Sequence, residues 1–107
     1  MFEVDVIYKI CPKSEWDLAC EKGVYAGSSD DARDGFIHFS AFDQVTGTLD
    51  KHFRDQKELL LLKVAIDQLD PNALKWETSR NGEKFPHLYG EMGLNAVLSV
   101  EELPDHG

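Results

Sequence analysis

Residues 59–66 read LLLLKVAI, apolar on both faces of an extended chain apart from Lys63. A run of this length and composition predicts a central strand covered on both sides, the spine of a sheet. Downstream, Asp70-Pro71-Asn72 marks a turn, Leu74 and Trp76 alternate with Lys75 and Glu77 as a further strand, and Asn81-Gly82 marks a second turn. FPHLYG at 85–90 follows with neither a helix nor a strand period and reads as a loop fixed by Pro86; a last strand is expected over about 96–102. Upstream, Phe42, Val45, Leu49 and Phe53 form a stripe that predicts a helix over about 41–53. Ser40 and Asp43 resemble a weakened capping box at its start, and Gly47 on its polar side costs ~1 kcal/mol against alanine.

Before that helix stands YAGSSDDARDGFIHFS, residues 25–40: a polar, glycine-containing loop and then a strand over about 35–39. Alternation sets Phe36, His38 and Ser40 on one side and Ile37 and Phe39 on the other, so with Ile37 and Phe39 in the core His38 faces a cleft or solvent. At the N-terminus Val4, Val6, Tyr8 and Ile10 alternate with Asp5, Ile7 and Lys9, a strand whose first set is the core face and which Pro12 ends. Ser14 then caps a helix with Trp16, Ala19 and Cys20 at helical spacing and Gly23 as its left-handed stop. Five strands, two early helices and a strand-rich second half predict an α+β domain, with Trp16, Trp76 and Tyr8 in the core.

At 107 residues and 42% hydrophobic content, one core and one domain are expected over 1–107. Eleven Lys and Arg against twenty Asp and Glu give a net charge of -9, which repels phosphate backbones, so no nucleic-acid partner is expected. The longest wholly apolar run, Leu59–Leu62, is far below a membrane span and no signal pattern opens the chain, so a cytoplasmic location is expected. Cys11 and Cys20, eight residues between them, fit neither a zinc site nor a redox pair and are expected to be reduced and packed as small hydrophobes.

His38 stands out chemically, since an imidazole can move a proton, orient a hydroxyl or hold a metal; the plainer account is a histidine bonded to its neighbours for structure. Ser40 is read either as an N-cap or as a ligand hydroxyl beside His38, and Gln44 one turn later lies near the same mouth. His87 and Tyr89 flank Leu88 and, if extended, turn toward one side, where the aromatic ring can stack on a planar ligand; otherwise Phe85, Leu88 and Tyr89 plug the sheet end. A metal would need His38, His87 and a carboxylate such as Glu77 to converge without any short ligand spacing, and none is expected. A Ser-His-Asp hydrolase is not supported, because no G-x-S-x-G turn occurs.

IYKI at 7–10, Trp16 with Ala19, the Tyr25-x-Gly-Ser loop, DGFIHFS with Gln44, and FPHLYG resemble the family known as domain of unknown function 952, over nearly the whole chain. More distantly, IYKI, the helix ending at Gly23 and IHFS are similar in order to the ADP-ribosyltransferase superfamily, especially tRNA 2'-phosphotransferases. That resemblance implies a twisted mixed sheet with a cleft for NAD or an ADP-ribose-like small molecule, in which His38 matches the second-strand histidine, as the catalytic group, and Ser40 the hydroxyl beside it; Gln44, His87, Tyr89 and Tyr8 are expected around the ligand from their own placement in the sequence. The chain departs from those enzymes in carrying Tyr8 and Lys9 where they place histidine or arginine. Glu77 and Glu101 qualify as a catalytic glutamate only by ending predicted strands, and three arginines, Arg33, Arg54 and Arg80, are few for holding phosphates. A non-catalytic binding or structural module remains the alternative expectation.

Overall fold

A computed structural model describes residues 5–79 and 82–104. Its strands are β1 (Val6–Pro12), β2 (Val24–Tyr25), β3 (Ile37–His38), β4 (Leu59–Ala65), β5 (Leu74–Thr78), β6 (Lys84–Leu88), β7 (Met92–Gly93) and β8 (Val97–Glu102). The α-helices are α1 (Lys13–Lys22), α2 (Ser29–Asp34) and α3 (Val45–His52). The expected start of the first strand at Val4 and the turn at Asn81 lie outside the described residues.

LLLLKVA forms β4, the middle strand of a sheet ordered β1-β4-β8, and Leu60, Leu62 and Val64 are buried within it. A second sheet runs β3-β6-β5 and a short ladder joins β2 to β7. Every ladder among the described residues is antiparallel, so the α+β class stands while the expected mixed sheet is replaced by three antiparallel ones. One apolar cluster, including Ile7, Cys11, Tyr25, Ile37, Leu62, Leu88 and Met92, lies between these elements.

Several local expectations are corrected. On β1 the face that joins the cluster is Ile7 and Cys11 with Lys9 between them, and Tyr8 is half-buried against Phe42 at a ring separation of 5.6 Å. The apolar count misled because a lysine occupies the core face. FPHLYG is not a loop: its first four residues belong to β6, the middle strand of the second sheet. Pro86 fits there because its carbonyl accepts from Phe39 N at 2.9 Å, and with no N–H to return that bond the β3 ladder stops at His38. The 26–34 loop contains α2, whose N-cap Ser28 accepts from Asp31 N while the Asp31 carboxylate accepts from Ser28 N. Trp76 is 45% exposed, on the edge strand β5, and Cys20 is exposed on α1.

α1 begins directly after Pro12 without a side-chain cap, so Ser14 is not the cap, but Gly23 ends the helix in the left-handed conformation as expected. The expected 41–53 helix opens as a 3-10 turn over Phe42–Gln44 before α3, and Phe42 is 75% exposed rather than part of a core stripe. Ser40 does not cap that turn. Ala41 occupies the N-cap position, with its N–H donating to Gln44 Oε1, and the Ser40 hydroxyl lies 3.1 Å from that of Thr48.

Candidate functional site

Asp31, at 2% exposure, is the centre of the site. Its Oδ2 accepts from Lys9 Nζ at 2.8 Å and Ser28 N at 2.9 Å, and its Oδ1 from His38 N at 3.2 Å and His38 Nδ1 at 2.6 Å. Three elements, β1, the start of α2 and β3, are thereby tied to one carboxylate. Burial pushes the carboxyl up, and the His38 bond, the Lys9 charge and the Ser28 N–H overcome that and hold it well below the ordinary carboxylate range. Gly27, at φ +101°, makes room for the arrangement, since a Cβ there would stand 2.7 Å from Asp31 Cβ.

The second nitrogen of His38, Nε2, lies 3.0 Å from Asp34 Oδ2 on α2. Ionised carboxylates only accept, so the charged imidazolium satisfies both Asp31 and Asp34, while a neutral ring satisfies one. His38 is therefore fixed in orientation by a buried carboxylate and covered at its outer nitrogen by an exposed one.

On the adjoining face His87 is 6% exposed, with Nδ1 2.8 Å from Glu77 Oε1, and the Tyr89 hydroxyl donates to the same oxygen at 2.6 Å. The Tyr89 bond first and the His87 bond second hold the Glu77 carboxyl below its usual range, and the bond to Glu77 pushes the Tyr89 hydroxyl up. Phe36 binds the two clusters together. It stacks on His87 at 4.1 Å and tilts against His38 at 4.6 Å and Tyr89 at 5.1 Å.

A cleft of about 150 Å³ opens beside this layer, and Lys9, Asp31, His38, Ser40, Thr48 and His87 are among the residues that line it. Of the residues singled out in the sequence, His38, Ser40 and His87 line it, whereas Tyr8, Gln44 and Tyr89 do not. Gln44 instead donates from Nε2 to Lys84 O at 2.8 Å, bracing the turn before α3 against β6. Glu77 meets His87, and Glu101 lies on β8 in the other sheet. No three His, Cys, Asp or Glu side chains among the described residues are disposed to hold a metal ion.

Sequence reasoning missed Lys9, Asp31 and Asp34. The available signal was Lys9 at a strand position whose neighbours on the same face, Ile7 and Cys11, are apolar: a charge there demands a buried partner. Below the Lys9–Asp31 pair, burial pushes the Cys11 thiol up to about 12, and raises the Tyr25 hydroxyl and Glu15 carboxyl. Cys11 is thus an inert packing group, as its composition predicts.

The pattern of the family described as "Protein of unknown function (DUF952)" matches residues 10–100. The chain belongs to this family. It is similar to protein CC0527 from Caulobacter crescentus, whose crystal structure shares 44% identity at a TM-score of 0.89, covering 94% of this chain and 87% of that one. The solution NMR structure of CC0527 matches at a TM-score of 0.78 and 44% identity, over 92% of this chain and 84% of that one. No curated protein matches the chain. The DUF952 description assigns no activity, and no helix among the described residues is long and apolar enough to cross a membrane.

Proposed function

We propose that the cleft beside His38 receives a small nucleotide-like or ADP-ribose-like molecule, with His38 as the group that hydrogen-bonds to it or exchanges a proton with it, in the manner of a divergent ADP-ribosyltransferase-type enzyme. The observation that carries this reading is the orientation of His38: a buried, cation-neutralised carboxylate fixes Nδ1 while the ring stands at the wall of a cleft. Ser40 and His87 add a hydroxyl and a second imidazole to the same cleft. The test is a thermal-shift screen of wild type and His38→Ala against NAD, ADP-ribose, nucleotides and sugars. Saturating ligand at 100 times its dissociation constant stabilises by ~2.7 kcal/mol, so a shift seen in wild type and absent from the variant is expected. Shifts of equal size in both proteins would sink the assignment of His38.

The second reading is a non-catalytic module that stabilises its own fold or binds a protein. It is favoured by the four donors that Asp31 accepts from three elements, an arrangement a purely structural clamp would also have. Under that reading no member of the screen shifts the melting curve, and His38→Ala melts earlier in every condition.

A further inference from the structure

The charges that line the cleft narrow what it accepts. Among the described residues lining it, the lysine and arginine are Lys9 and Arg33, facing Asp30, Asp31 and Asp34. Both cations are already matched: Lys9 Nζ lies 2.8 Å from Asp31, and Arg33 lies 3.1 Å from Asp30 and 3.3 Å from Asp34. Two of the three imidazoles lining the cleft follow the same rule, His38 between Asp31 and Asp34 and His87 on Glu77, and the third is His52. A phosphate entering here would compete with these carboxylates for Lys9, buried on Asp31, and for Arg33, whose side chain is 69% exposed, while facing the remaining acids of a chain whose net charge is -9. A hydroxyl meets no such conflict, because it donates to the Asp34 rim or accepts from the Ser40 and Thr48 hydroxyls without adding charge.

We propose that the interior of the cleft takes an uncharged, hydroxyl-bearing ligand of the nucleoside or free-sugar class and excludes phosphate, so that any phosphate carried by the ligand stays outside. This rests on the small-ligand reading above and specifies it. Asp34 sets the specificity, since it is the exposed carboxylate that holds both His38 Nε2 and Arg33.

Calorimetric titration of the full chain with adenosine, ribose, AMP and ADP-ribose, at low and at high salt, tests the proposal. Adenosine is expected to bind, AMP to bind about fivefold more weakly at low salt, and the gap to narrow as salt screens the acids. Asp34→Asn, which leaves Arg33 short of a partner, is expected to bring AMP level with adenosine. The proposal is overturned if AMP or ADP-ribose binds more tightly than adenosine and weakens with salt, or if Asp34→Asn leaves the ratio unchanged. Those results leave the small-ligand reading standing. Silence from all four probes removes that reading and this one with it.

Discussion

The two large sheets share one apolar cluster but differ in the polar groups they bury. In β1-β4-β8 the central strand presents Leu60, Leu62 and Val64, none more than 4% exposed, and its stability comes from apolar area removed from water. In β3-β6-β5 and the adjoining α2, the polar side chains of His87 and Asp31 are buried beside the apolar Ile37, Phe85 and Leu88, with Lys9 reaching across from β1. Apolar contacts degrade gradually when atoms are removed. A buried ion pair contributes little net stability while intact and costs much when one partner goes, so the polar layer behaves as a unit.

The largest effect should come from splitting that unit. Asp31→Ala strands Lys9 and three further donors and is expected to cost about 4 kcal/mol in urea denaturation, whereas Lys9→Met with Asp31→Leu should recover the part due to the stranded lysine and leave the cost of the other three donors. A double variant as unstable as the single would show that the two sheets do not differ in the way described. Leu62→Ala comes next at about 3 kcal/mol, and its cost should be the same in acid as at neutral pH because no proton is involved.

Acid separates the sheets more sharply. Asp31 is held below its ordinary 3.8 in the folded chain, so its contribution is complete above that value and fades as pH falls from there towards the folded one. Wild-type stability, followed by circular dichroism, should drop over that interval, and Asp31→Asn should flatten the profile. An unchanged slope in the variant would mean that other carboxylates carry the acid response. The smallest expected change is a gain: Gly47→Ala in α3 meets no atom within 4 Å and should stabilise by up to ~1 kcal/mol.

The same contrast governs what could be read in advance. LLLLKVAI declared β4 because hydrophobic burial leaves a mark in composition, and Ile37 and Phe39 fixed the face of His38 for the same reason. His38, Ser40 and His87 were accessible as cleft residues through alternation and unusual residue type. Asp31 and Asp34 were not, because an acid in a polar stretch looks identical to a solvated one until the fold closes, and Lys9 left only the mark of a charge between apolar neighbours, its partner lying 22 residues away. FPHLYG was hidden by Pro86, which ordinarily excludes a middle strand and is accepted here since β3 makes no further demand on it. Trp76 misled in the other direction, its bulk suggesting interior on an edge strand.

The division of Asp31 and Asp34 between floor and rim has a consequence for how such a site diversifies. Asp31 cannot be exchanged without releasing three elements at once, so descent or design has little freedom there. Arg33 and Asp34 lie on an exposed six-residue helix and hold no part of the apolar cluster. New preferences would accumulate on that turn of chain, one substitution at a time, over an inherited base that stays constant.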